Sequence, residues 1–217
     1  MTAPHQHGEI GAPSTWVARF ATQVAAGEVL DVACGSGRHA RLLASHGHPV
    51  LAIDRDAAVL AKLTGAGIRG VSTLQIDLER APAAAPAAAS ATASATASAT
   101  APAAAFYWPF EAGRFAAIVV TNYLHRPLLP SLLASLAPGG MLIYETFAQG
   151  NARFGKPSSP AFLLAPGELL ALALTATPSL RVLAFEDGYV DTPAPAMVQR
   201  LCAIRTDPDA GAVLLRL

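Results

Sequence analysis

The sequence carries little charge and no surplus of either sign: fifteen Lys and Arg balance fifteen Asp and Glu, and charged residues make up 14% of the chain. No run of Lys or Arg stands in it, so it offers no electrostatic footprint for nucleic acid or an anionic lipid surface. Cysteine is scarce as well. Cys34 and Cys202, both within apolar strand-like runs, make neither a disulfide framework nor a metal pattern, and they read as buried free thiols. No metal is expected elsewhere, because the His5 and His7 pair in the Pro- and Gly-containing N-terminal stretch lacks further ligands near it. That stretch, MTAPHQHGEIGAP, also lacks the basic-then-apolar layout of a signal peptide, which makes a cytoplasmic location the expectation.

What is present is apolar. At 217 residues and 53% hydrophobic, the chain is long enough for one sizeable core, and a single domain over residues 1–217 is the default. Residues 14–26 set Trp16, Val17, Phe20 and Val24 at helical spacing behind a Ser14 or Thr15 cap. EVLDVAC (28–34) is a buried strand, Gly37 to Ser45 a helix, HPVLAID (48–54) a second strand, Asp56 to Leu63 a helix, and GVSTLQID (70–77) a third strand. Such alternation describes a parallel sheet with both faces covered.

Residues 81–105 break the pattern, being almost wholly Ala, Ser, Thr and Pro. Pro82, Pro86 and Pro102 interrupt any helix and the side chains are too small to anchor the segment, so it reads as a flexible surface insertion. A membrane span is opposed by the small apolar area of Ala and by the Ser, Thr and Pro content. Alternation then resumes with a strand, FAAIVVT (115–121), a helix over Pro127 to Leu136, a strand, GGMLIYETF (139–147), and a helix from Gly167 to Leu174. LRVLAFEDGYV and APAMVQRLCAIR follow with no helix between them, as an antiparallel pair at the sheet's end. The inferred fold class is α/β: a Rossmann-like, mostly parallel sheet with a C-terminal antiparallel hairpin and helices on both faces.

DVACGSGRHA (31–40) satisfies G-x-G-x-x-A from Gly35 to Ala40. Dinucleotide sites and S-adenosylmethionine sites share that pattern. Asp31, four residues before Gly35, separates them: a carboxylate repels a pyrophosphate but attracts the ammonium and sulfonium of S-adenosylmethionine. Asp54 closes the second strand where it can accept from vicinal ribose hydroxyls, a role either cofactor would use. Asp77 closes the third, placed to take an adenine amino group while the Leu78 N–H reaches a ring nitrogen. Three carboxylates on three successive strand ends, joined to the glycine turn, favour the methyl donor.

VLDVACGSGRHA, AIDRD, QIDLE and APGGMLIYETF together resemble the class I S-adenosylmethionine-dependent methyltransferases, over nearly the whole chain except 81–105. Within that superfamily the chain looks most like the small tellurite-resistance-type methyltransferase domains. The resemblance implies a seven-stranded sheet with its last strand antiparallel. It also implies a methionine-side loop of Asp31, Gly35 and Gly37, a ribose contact at Asp54 and an adenine contact at Asp77 with Leu78. The candidate cofactor-binding set is Asp31, Ala33, Cys34, Gly35, Ser36, Gly37, Asp54, Arg55, Asp77, Leu78, Thr121 and Asn122. Two positions depart from the family: Ala33 stands where many members have the first glycine, which bears on loop geometry, and Ala116 stands where FD is common, which bears on packing.

The acceptor is less legible. TNYLHRP (121–127) places Asn122, Tyr123, His125 and Arg126 at the rim facing the methyl group, with Tyr123 and His125 as candidates to orient or deprotonate a nucleophile. The alternative is that Asn122 and His125 cap the next helix while Tyr123 packs. Only Asn and Tyr match the N-P-P-Y motif of amino-group methyltransferases, so no amino acceptor follows from it. Beyond Glu145, the Gly- and Pro-rich stretch 147–169, with Asn151, Arg153 and Phe154, is a lid or an ordered crossover. With no second domain or basic surface for a macromolecule, a small-molecule acceptor is expected. A nicotinamide-dependent oxidoreductase and a non-catalytic S-adenosylmethionine-binding module remain as alternatives.

Overall fold

Ser14 begins the ordered architecture: its side chain accepts a hydrogen bond from the Trp16 amide and so caps α1 (Thr15–Ala21). Trp16, Val17 and Phe20 are buried as their spacing requires, but the helix stops at Ala21, because the chain turns through Gly27 (φ 144°) into the sheet. The computed structural model describes residues 11–80 and 106–206. The expected insertion at 81–105 and the His5 and His7 pair lie outside the described residues.

The elements that follow are β1 (Val29–Val32), α2 (Arg38–Ser45), β2 (Val50–Asp54), α3 (Ala57–Gly65), β3 (Val71–Gln75), β4 (Phe115–Thr121), α4 (Leu129–Ala134), β5 (Leu136–Phe147), α5 (Glu168–Thr175), β6 (Leu180–Val190) and β7 (Ala196–Arg205). They form one seven-stranded sheet in the order β3-β2-β1-β4-β5-β7-β6. The first five strands are mutually parallel, and β7 runs antiparallel to both β5 and β6. This is the Rossmann-like sheet that the resemblance implies, with the late pair placed so that β7 sits inside and β6 takes the edge.

Alternate residues of each central strand face opposite sides. Leu30, Val32, Ile53, Ile118, Val120 and Leu142 meet the leucines of α4 and α5 on one face. Val29, Val50, Ala52, Val119 and Ile143 meet Trp16, Phe20, Leu43, Leu60 and Leu63 of α1 to α3 on the other. A strand buried on both faces has no polar side, which is why FAAIVVT is an unbroken apolar run.

The segment between β4 and β5 differs from expectation. A helix over Pro127 to Leu136 is replaced by a 3-10 turn at Arg126–Leu128 and the short α4, and Leu136 already pairs with Phe115 as the first residue of β5. Pairing then jumps to Ala117 with Met141, so the strand expected from Gly139 begins three residues earlier, with an irregularity at Ala-Pro-Gly-Gly. Gly140 is required there: a Cβ would lie 2.8 Å from the carbonyl oxygens of Ala137 and Phe115. Ala116, the departure noted above, packs in the same economy of space, since a Cβ on Gly27 would lie 2.7 Å from its own.

Because the atoms opposing Gly140 are backbone, Gly140→Ala is expected to cost about 1–3 kcal/mol in urea unfolding. An unchanged midpoint would mean that the sheet edge yields freely there.

Candidate active site

Strand β1 pairs with β2 on one side and with β4 on the other, and at such a divergence an open α/β sheet leaves a crevice outside the strands' carboxyl ends. A cleft of about 390 Å³ opens at that edge. Five strand ends build its walls: Ala33 after β1, Ile53 and Asp54 of β2, Ile76 to Glu79 after β3, Asn122 to Leu124 after β4, and Thr146 and Phe147 of β5. Arg55 joins them, and Pro157 and Phe162 close the cleft from the loop that follows β5. Of the sequence candidates, Ala33, Asp54, Arg55, Asp77, Leu78, Asn122 and Tyr123 line the cleft. Asp31, Cys34, Gly35, Ser36, Gly37, Thr121 and His125 do not.

Asp54 joins two loops. One oxygen accepts the Gly35 amide at 2.9 Å and the other accepts the Asp56 amide at 2.9 Å, which leaves lone pairs on both for a ligand. Asp77 likewise accepts the Glu79 amide at 3.0 Å on one oxygen. Asp31 lies beneath the glycine turn, fully buried, with Oδ2 accepting the Ala40 amide at 3.0 Å. Its partner helix α2 opens on Gly37, which has no side chain to cap it, so a carboxylate from β1 serves the first turn instead. Gly37 has φ 74° and no room for a Cβ, whose nearest neighbours would be the Leu63 methyls at 2.6 Å. The second oxygen, Asp31 Oδ1, is buried with no partner among the described residues. Burial pushes the Asp31 carboxyl up to about 7, against the pull of the Ala40 N–H and the Arg38 charge.

A family model described as a methyltransferase domain matches residues 5–157. The chain belongs to that methyltransferase family. Its fold is that of the class I S-adenosylmethionine-dependent methyltransferases. Similar solved structures include TehB from Haemophilus influenzae, 17% identical over 88% of this chain and 61% of that chain, with a TM-score of 0.61. A methyltransferase from Mesorhizobium loti is 17% identical over 88% and 97% of the two chains, with a TM-score of 0.60. The glycopeptide N-methyltransferase MtfA, complexed with sinefungin, is 17% identical over 94% and 90%, with a TM-score of 0.56. At these identities the likeness is one of fold. No curated protein matches the sequence. The donor set fits a cationic nucleoside: three cleft carboxylates face a single guanidinium, and an orphaned carboxylate oxygen lies under the glycine turn.

Two side chains outside the candidate cofactor set, His39 and Arg126, help hold the methyltransferase's edge together. His39, 1% exposed, accepts the Ser14 amide on Nε2 at 3.1 Å and lies 3.4 Å from the Thr121 hydroxyl through Nδ1. Burial lowers its pKa to about 4, so the ring is neutral and Nε2 is free to accept. Arg126 is the second. It grips Glu168 at 2.6 and 2.9 Å and donates to the carbonyls of Ala161 and Leu163 at 2.9 Å. Asn151, also buried, accepts the Met197 amide and donates to the Pro157 carbonyl. The 147–169 stretch is held at these points by Arg126 and Asn151, and Phe154 of that stretch packs on Tyr189, outside the cleft lining. Glu145 is held by Arg200 at 2.6 Å.

Asn122 adopts φ 55°, a left-handed conformation costly for a side chain, and its amide is fixed by the Glu145 carbonyl at 2.9 Å. Tyr123 follows into the cleft, its backbone carbonyl accepting the Tyr144 hydroxyl at 2.8 Å. Burial raises its phenol pKa, and the neighbouring Glu79 carboxylate adds to the rise, so Tyr123 donates a hydrogen bond at neutral pH and takes no proton. His125 lies outside the lining, forms no helix cap, and has a buried Nε2 without a partner among the described residues. Glu79, Thr146, Phe147, Pro157 and Phe162 line the cleft although the sequence did not single them out for it. For Glu79 the one available signal was its place two residues beyond Asp77.

The raised Asp31 carboxyl has a measurable consequence. Between the ordinary carboxylate value and about 7 the folded state holds a proton that the unfolded chain has lost, so stability falls as pH rises through that window. Relative to Asp31→Asn, ligand-free wild type should lose roughly 2–3 kcal/mol between pH 5 and pH 8 in denaturant unfolding. Parallel pH profiles for the two proteins would contradict the buried, orphaned carboxylate.

Proposed function

We propose that this methyltransferase acts on a small-molecule acceptor seated in the part of the cleft bounded by Tyr123, Thr146, Phe147, Pro157 and Phe162. The observation that carries the reading is the cleft itself, about 390 Å³ with a pinned loop as its outer wall, a size suited to a cofactor beside a compact partner. The same reading keeps a one-domain, cytoplasmic enzyme, supported by the single continuous sheet and by two buried free thiols of the kind a reducing compartment maintains.

Within it, Asp54 takes the ribose hydroxyls, Asp77 and the Leu78 N–H take the adenine, and the turn from Asp31 to Gly37 takes the methionine end. Arg55, Thr121 and Asn122 complete the cofactor's surroundings. The bound cofactor supplies an electrophilic methyl carbon on a sulfonium. The chain's part is to hold the acceptor at contact distance and to keep water out, and positioning of that kind accounts for a large share of rate acceleration. A dinucleotide is disfavoured, since the Ala40 amide of α2 is already occupied by Asp31 and the cleft carboxylates oppose a pyrophosphate.

Calorimetric titration with S-adenosylmethionine and with a nicotinamide dinucleotide separates the two cofactors, and S-adenosylhomocysteine release separates an enzyme from a binding module. Asp54→Ala is expected to weaken S-adenosylmethionine binding by roughly 1.5–3 kcal/mol, the scale for losing hydrogen bonds to a charged group. A folded Asp54→Ala protein with wild-type affinity would remove Asp54 from the site.

A further inference from the structure

The three carboxylates that line the cleft are not equivalent. Asp54 and Asp77 close or follow strands, each is engaged by a backbone amide, and both are used in holding the cofactor under the reading above. Glu79 has no such duty. It lines the cleft from the β3 side, half-buried, and Tyr123 lines the same cleft from the β4 side. The wall beside the pair is apolar, made by Phe147, Pro157 and Phe162, the last of them 51% exposed.

We propose that Glu79 receives the acceptor's proton, that Tyr123 holds the Glu79 carboxylate by donating a hydrogen bond to it, and that the acceptor is a neutral or cationic molecule bearing an N–H, O–H or S–H beside an apolar body. The inference rests on the methyltransferase reading of the cleft given above. The electron pair of the acceptor's nucleophilic atom forms the new bond to the methyl carbon, the carbon–sulfur bond breaks with its pair left on sulfur, and the proton passes from the acceptor to a Glu79 carboxylate oxygen. Charge balances, as one cationic centre and one carboxylate are consumed together. An anionic acceptor is excluded by the same walls, where Asp54, Asp77 and Glu79 outnumber Arg55. Tyr123 is suited to its part because its phenol, facing Glu79, Asp77, Arg55 and Tyr144, stays protonated. His125 is not needed for the proton, which agrees with its place outside the lining.

The test uses the full chain with three probes: benzylamine and benzyl mercaptan as protic acceptors and phenylacetate as the anionic control. S-adenosylmethionine is titrated first. If it does not bind, the methyltransferase reading of the cleft fails, and this inference with it. Given binding, Glu79→Gln should keep cofactor affinity within about threefold and weaken benzylamine binding at least about tenfold, with Glu79→Asp intermediate and phenylacetate unbound by wild type. Turnover of either protic probe should fall about 10²- to 10⁴-fold in Glu79→Gln. Ultraviolet titration, with Tyr123→Phe as reference, should place the Tyr123 phenol pKa lower in Glu79→Gln than in wild type. Cofactor binding with benzylamine affinity indifferent to Glu79, with no benzylamine binding by wild type, with preference for phenylacetate, or with an unmoved Tyr123 titration overturns the Glu79 assignment and leaves the cofactor site standing.

Discussion

A carboxylate with no access to water sets the terms for the whole ligand edge. Asp31 stands at the centre of the sheet, in the strand where the connections diverge, and its one hydrogen bond ties β1 to the first turn of α2. Helix α2 opens on a glycine and has no side-chain cap of its own, so that bond replaces what a Ser or Asp would have given locally. The cost is a buried group that burial alone would keep protonated near neutrality. A structure built for stability would have an apolar residue there.

Around that point the edge is held by links between loops, each of which would wander alone. Asp54 ties the turn after β1 to the turn after β2, His39 ties the start of α1 to α2 and the end of β4, and Arg126 ties the exit of β4 to the crossover beyond β5. The neutral state of His39 is part of this, since a protonated Nε2 has no lone pair for the Ser14 amide. Polar side chains at the sheet's carboxyl edge thus do for the loops what leucines do for the two faces.

How much of this the sequence disclosed follows from the range of each interaction. The strands and the residues that end them, Asp54, Asp77 and Asn122, were legible because periodicity and strand termination are local, and the fold class followed from their order. Leu136 reads as the end of a helix yet opens β5, because only its pairing with Phe115 on the partner strand, not the local sequence, places it there. Asp31 was legible as a charge at the end of β1, whereas its burial depends on α2 folding back over it. His39, Glu79 and the clasp of Arg126 on Glu168 lie 25 or more residues from their partners in the chain, and no spacing in a single sequence announces them.

Ala33 and Asn122 carry the last step. Among the described residues they are the two that adopt left-handed backbone without being glycine, at φ 52° and 55°. They follow the adjacent strands β1 and β4, on either side of the line where the connections part, and both line the cleft. Each is fixed by a neighbouring strand: the amide after Ala33 donates to the Ile53 carbonyl at 2.9 Å, and the Asn122 amide donates to the Glu145 carbonyl at 2.9 Å. Strain of this sort costs about 1–3 kcal/mol per residue and persists only where the surroundings over-determine it. Ala33 adopts at φ 52° a turn that a glycine would adopt freely, so the alanine there carries strain that a glycine would not. Asn122 uses the same bend to swing the chain away from the sheet, which presents Tyr123 to the cleft and leaves His125 and Arg126 beyond it. Two bends on neighbouring strands thereby shape the cleft's floor, and that shape is a property of backbone held under load.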